Sequence, residues 1–402
     1  MYDPFARTTE TIFGLIIQTS GGMHLIHKNV VSRGRTYYTK FIEMRMGERW
    51  MGLFKSIFGA SKEMIRHERS FDIQKVNDLI VSVDVADVEV IIHELPKVDI
   101  TFVSYEGGPG LEIMDADNAL TIISKKEHKG PTFTFGELPK CYLKIYVPTD
   151  VANHWDISAT SGIIHVSHNV AKTFRANATS GKVTLSKITA EKINVHTTSG
   201  KMLLKELKTN KLRFHANSGI VEIHASYGDI SGQVGSGSIL ISEAKGEDLE
   251  VKSGSGKIVL KEVYMKSATV KANSGKIEAE KFWTETTIAD VGSGKINMND
   301  FRGAIKGNAN SGNITISVSD NSTLDLKTGS GNIHVEFQEF ELNSIFDIKT
   351  GSGNFSTNIP MQVEKREKHH LLGKTGDGKN VIRLRTGSGK AEMFTINKRR
   401  RE

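Results

Sequence analysis

The chain has 402 residues, of which 38% are hydrophobic, 38 are glycine and one, Cys141, is cysteine. That length allows two domains, and so many glycines suit short strands and tight turns and argue against a helical bundle. The lone cysteine excludes an intramolecular disulfide, and the formal charge of +7 is too modest and too evenly spread to make nucleic acid an expected partner.

Residues 1–50 fit nothing that follows. Gly47-Glu48-Arg49-Trp50 ahead of Met51 is what a purine-rich ribosome-binding sequence would encode, so translation is expected to start at Met51, with 1–50 a leader of doubtful nativeness. The run from Ile12 to Ile17 is too short to span a bilayer and lacks the flanks of a signal peptide, which makes the cytoplasm the expected location, with a peripheral membrane contact as the variant. Leu53, Phe54, Ile57 and Phe58, with Trp50, Met64 and Ile65, fall mostly at helical spacing opposite Lys55, Lys62 and Arg66. This predicts an amphipathic helix over 51–70, either a cap on the first coil or a membrane-surface contact. Alternating strands follow at 79–92, 98–103, 119–124 and 142–147, without a repeated corner, and 71–150 is read as an irregular N-terminal β capping region.

From 151 to 395 the chain repeats. Ser-Gly pairs put a glycine at spacings of 19 or 18 residues from Gly162 to Gly331, then at intervals of 22 to Gly353 and 36 to Gly389. Two and four residues after each glycine stand apolar side chains (Ile164 and Val166, Val183 and Leu185, Ile258 and Leu260), with polar ones between. Seven and five before it the same alternation appears, as in Trp155 and Ile157, Leu212 and Phe214, or Leu249 and Val251. Two half-buried strands meeting at a glycine corner, repeated at fixed period, predict an all-β fold: a parallel β-helix, or β-solenoid, of about 12 coils. Right-handed winding is expected from the general rule for parallel crossovers. Val363 to His370 interrupts the period as a charged excursion read as a solvated loop, and 396–402 form a basic tail.

Little in this pattern carries chemistry. His196 and His215 occupy the same column of adjacent coils, flanked by Asn177 and Gln233, with no third strong ligand in register, so no metal and no cofactor is expected. Asp156, Glu250, Asp325 and Asp347 share an outward column with Arg175, Arg213, Lys306 and Arg383, dispersed rather than clustered as a calcium-dependent lyase would need. No catalytic residue is assigned. The outer row Lys182, Lys201, Lys257, Lys276 and Lys295 is the candidate ligand-facing surface: rigid lysines at strand spacing suit an anionic cell-wall polymer or lipid headgroups, or else they serve solubility.

The Thr-Ser-Gly-Lys-Val and Gly-Ser-Gly-Lys-Ile coils at 179–183, 254–258 and 292–296, with a lead-in ending in Leu138-Pro139 and Val147-Pro148, resemble the bacterial putative-adhesin family of β-strand-repeat proteins, a domain of unknown function common in Firmicutes. The resemblance covers about 71–395. It implies a non-enzymatic solenoid scaffold or binding protein at or near the cell envelope, connected in several relatives with envelope stress, and it brings no functional residues with it. A β-helical carbohydrate-active enzyme and a cytoplasmic rod self-assembling end to end are the alternatives.

Overall fold

The computed structural model describes residues 14–19, 22–27, 63–72, 75–126, 139–338 and 340–396. Contacts divide the chain into two units, 1–63 with 129–139, and 64–128 with 140–402. The described part of the first is an antiparallel hairpin of β1 (Gly14–Thr19) and β2 (Gly22–His27). The second is all-β among its described residues, and none of its segments is a helix long and apolar enough to cross a membrane.

The body of the second unit is one continuous extended winding, β10 (Ala152–Val318). Its inward side chains are the apolar columns on either side of the glycine corner, from Trp155, Phe174 and Ile193 to Ile314 and Ile316, all essentially inaccessible to water. Trp155 and Phe174 stack with ring centroids 5.9 Å apart, the offset geometry aromatic faces prefer. At the corners of β10 each glycine adopts a φ between 133° and 150°, and a Cβ there would fall on the carbonyl oxygen of the corner glycine one coil below, or of Ala86 in the case of Gly162. Only a residue without a side chain lets the coils approach this closely.

A second bend was not visible in the sequence. Six residues past the corner glycine, His168, Lys187, Glu206, Ala225, Glu243, Glu262, Lys281 and Asp300 all take left-handed backbone angles, φ 51° to 58°. The next residue turns inward, giving a third buried column of Ile188, Leu207, Val263, Phe282 and Phe301. Each non-glycine residue held there costs about 1 kcal/mol. Replacing Ala225 by glycine is therefore expected to stabilise the fold by up to about 0.5 kcal/mol, after the larger entropy of an unfolded glycine is subtracted. A chemical-denaturation midpoint that falls instead of rising would refute this.

The two ends share an arrangement that follows neither the sequence order nor a simple winding. Near the N-terminal end, β4 (Val76–Val85) and β5 (Asp87–His93) pair in parallel with the first coil of β10, Ile157 opposite Val81 and Val166 opposite Val90. On their other side lie β8 (Ala119–Ser124) and β9 (Tyr142–Pro148), again parallel. The segment 71–150 thus contains two coils in register with the repeat, the later one outermost. It is closed by antiparallel strands: β6 (Lys97–Tyr105) on β9, β7 (Glu112–Ala116) on β8, and β3 (Met64–Asp72) on β6.

At the other end β11 (Thr323–Ser330) and β12 (Ile333–Phe337) continue the winding from β10. The coil stacked on them is not the next in sequence, β13 (Ser344–Thr350) and β14 (Phe355–Thr357), but the last, β17 (Asn380–Ser388) and β18 (Ala391–Thr395). β13 and β14 lie outside it, in parallel. The glycine column records the order: a Cβ on Gly389 would meet Gly331, and one on Gly353 would meet Gly389. The broken period at the C-terminal end is this exchange of places.

Two expectations need correction. The predicted helix does not extend to residue 70, because Met64 and Ile65 lie in β3, exposed and paired with Tyr105 and Ser104. β6 offers there an edge left open by its pairing with β9, and nine consecutive ladder pairs outweigh a short isolated helix. Leu53, Phe54, Ile57 and Phe58 lie outside the described residues. Nor is 363–370 a loop: Gln362–Glu367 forms β15, which pairs antiparallel with β16 (His370–Lys374), itself antiparallel on β13.

Candidate functional site

Alternation that sends apolar residues inward fixes the polar columns on the outer faces with equal rigidity. The lysine row one residue past the corner carries less free charge than its sequence suggests. Lys201 Nζ lies 2.7 Å from Glu222 Oε1, and Lys257 and Lys276 both pair with Glu278. Partial burial pushes the Glu278 carboxyl up, but hydrogen bonds from the two lysines prevail and hold it below the usual carboxylate range. Lys182 and Lys295 have no ion pair among the described residues.

The outward carboxylates ahead of the corner are also engaged. Asp156 accepts from Arg175 at 3.0 Å, Glu250 lies 2.6 Å from Lys252, Asp325 3.3 Å from Arg385, and Asp347 3.0 Å from His370. A hydrogen bond and the charge of Lys252 hold the Glu250 carboxyl below its ordinary value.

Between these pairs the same face opens into a groove of about 370 Å³. Its walls are Arg175, Asn194 and Arg213 in one column and Asn177, His196, His215 and Gln233 in the next, with Glu250 and Lys252 at the far side. The floor is Ser231 and Gly232. Gly232 occupies an inward position of the repeat where other coils carry an apolar side chain, because a Cβ there would meet the ring of Phe214 at 2.5 Å. Phe214 fills the core from one coil below, and the missing side chain leaves a dip on the outside.

His196 and His215 stack with their rings almost parallel, ring centroids 5.1 Å apart and planes inclined by 2°. His215 Nε2 bonds Asn217 Oδ1 at 2.9 Å. Desolvation against its neighbour, and then the charge of His215, lower the pKa of His196 below that of a free imidazole. Rings stacked face to face do not converge their lone pairs on one point, and among the described residues no three His, Cys, Asp or Glu side chains are grouped to hold a metal ion.

A family model described as Toastrack DUF4097 matches residues 76–230 and 224–393. The chain belongs to the Toastrack family. Similar solved structures include a putative adhesin from Parabacteroides merdae, 16% identical with a TM-score of 0.33, covering 68% of this chain and 95% of that one. A putative lipid binding protein from Parabacteroides distasonis is 14% identical (TM-score 0.28, 83% and 97% covered), and a putative cell adhesion protein from Clostridium sporogenes is 10% identical (TM-score 0.18, 83% and 100% covered). No curated protein matches.

Within this Toastrack repeat the column alignment brings His196 and His215 together with Asn177 and Gln233. Sequence reasoning missed the part played by Arg213 and the Ser231-Gly232 floor; the signal was a glycine at an inward position, which breaks the apolar column. It also missed an outer ladder on the third side, where Arg302 lies 3.9 Å over the Trp283 ring and Tyr264 meets that ring edge-on at 4.9 Å.

Proposed function

We propose that this Toastrack chain is a non-enzymatic binding scaffold, adhesin-like, that acts at or near the bacterial cell envelope. The observation that carries this reading is the engagement of the outward carboxylates: Asp156, Glu250 and Asp325 each pair with a cation on their own or a neighbouring coil, and Asp347 lies 3.7 Å from Lys349 and 3.0 Å from His370. A general acid or base needs a carboxyl free to exchange a proton with a substrate, and carboxylates already engaged by neighbouring side chains are poorly placed for that. What the outer faces offer instead is fixed polar side chains at strand spacing, suited to contact along an extended ligand.

End-to-end assembly is disfavoured by the terminal strands. β15 at one edge of the sheet exposes Glu364, Lys365, Arg366 and Glu367 and shifts register between Val363 and Lys365; β3 at the other exposes Arg66, Glu68 and Arg69. Charges and a bulge on an edge strand are the devices that prevent edge-to-edge pairing.

The full chain, incubated with isolated cell-wall sacculi or with vesicles rich in anionic lipid, is expected to sediment with at least one of them at low salt and to be released as salt rises. Failure to sediment with either at low salt would remove the envelope reading.

A further inference from the structure

We propose that the groove over Ser231 and Gly232 is an oxyanion site, in which the Arg213 guanidinium grips a carboxylate or phosphate group and the stacked imidazoles of His196 and His215 add positive charge as pH falls. This gives the scaffold a ligand class and rests on that reading. Arg213 differs from the other cations lining the groove. Arg175 is spent on Asp156 and Lys252 on Glu250, whereas Arg213 has no ion pair among the described residues. Its neighbours in the column on either side, Asn194 and Ser231, are neutral. A guanidinium with its fork of donors uncommitted, beside about 370 Å³ of open volume, is matched to a planar or tetrahedral oxyanion that it can hold through two hydrogen bonds. The amides of Asn177, Asn194 and Gln233 line the same volume and can serve the hydroxyls or ester oxygens around such a group.

The imidazoles make the site proton-linked. His215 donates from Nε2 to Asn217, so its Nδ1 carries the lone pair when neutral and becomes a second donor only on protonation. Two imidazolium rings stacked 5.1 Å apart would repel each other, and in the empty groove desolvation and its stacked neighbour oppose charging His196. The groups facing the pair are Arg175, Arg213 and Lys252, which add to that resistance, and Glu250, which Lys252 neutralises. An anion bound between them removes the penalty. Binding therefore takes up protons, and affinity rises as pH falls through the imidazole range.

The test uses the full chain with isotope-labelled histidine, followed by NMR, and two probes, galacturonate and inorganic phosphate. Both are expected to shift the His196 and His215 resonances saturably at about pH 5.5, where imidazoles begin to charge. Galacturonate, whose carboxyl stays ionised throughout, is expected to bind at least about fivefold more tightly at about pH 5.5 than at about pH 7.5. Arg213→Gln should weaken either probe roughly tenfold or more, while the exposed Lys327→Gln, far along the column of His196 and His215, should change nothing. Replacing both histidines by glutamine, with binding followed by titration calorimetry in this variant and the parent, should abolish the pH dependence and keep the binding seen at the higher pH. Tighter galacturonate points to a uronic-acid glycan as the natural source, tighter phosphate to a phosphate-bearing polymer or headgroup. No saturable shift with either probe, or equal affinity in Arg213→Gln, overturns the site. If Arg213→Gln still sediments with envelopes while neither probe binds the parent chain, the scaffold reading survives without this groove.

Discussion

Gly256→Ala is expected to cost at least about 3 kcal/mol and to leave the chain cleavable near the middle of the winding. Gly256 has φ 137°, a region that is essentially closed to residues with a Cβ, and the added methyl would overlap the Gly237 carbonyl oxygen and approach its carbonyl carbon to 2.8 Å. Neither group can retreat, because Gly237 is itself stacked on Gly219 and Gly275 on Gly256. Each coil draws its stability from its neighbours, so a local break uncouples the coils on either side instead of staying local. Gly110→Ala is the matched control: no atom lies within 4 Å of where its Cβ would sit, and its effect should stay within about 0.5 kcal/mol. Urea denaturation and limited proteolysis of both variants decide the matter. A Gly256→Ala chain as stable and as resistant as the parent would show that the corner does not hold the coils.

Removing residues 380–402 is expected to dismantle the whole C-terminal end, not to shorten the winding by one coil. β17 and β18 are paired on both sides, Ile382 with Leu324 on one and Phe346 on the other, Ala391 with Ile333 and Phe355. Ile382, Leu384 and Met393 are fully buried between those layers, worth about 1.5–3 kcal/mol each. Their loss also strands β13 and β14, with the β15–β16 hairpin that rides on β13, one coil width away from β11 and β12. Hydrogen exchange should then show 344–374 unprotected, and the truncated chain should aggregate through the exposed edge of β11 and β12. Retained protection of 344–357 in the truncated chain would contradict the interleaved order.

What could be read from the sequence was whatever a single residue type must satisfy. A corner that excludes a Cβ forces glycine, and a strand buried on one face forces alternation, so the Ser-Gly pairs and the columns of Ile164, Val166, Trp155 and Ile157 were plain. The second bend leaves no such mark, because a left-handed residue costs only about 1 kcal/mol and its exposed position accepts Lys, Glu, His or Asp alike. The third buried column is blurred as well: Asn169 and Ser226 sit in it with side chains that find no hydrogen-bond partner among the described residues, where Leu207 and Phe282 sit in other coils. Intervals of 22 and 36 residues were visible at the C-terminal end, but which coil lies next to which is decided by pairing edges, not by spacing. In the groove the imidazole pair followed from column alignment alone. The freedom of Arg213 did not, since it depends on which carboxylates the neighbouring cations have already taken.

The interleaved end has a consequence for the order of events during synthesis. The slot beside β11 and β12 is filled by residues 380–395, the part of that end that leaves the ribosome last. Until then β13 and β14 can reach the growing edge only by taking a place that belongs to another coil, a pairing that must be undone before the end can close. At typical elongation rates of about 5–20 residues per second, the wait between the first and the correct occupant lasts a few seconds. A helper that shields a bare sheet edge would matter most in that interval, and a slowly translated stretch between 357 and 380 would lengthen it.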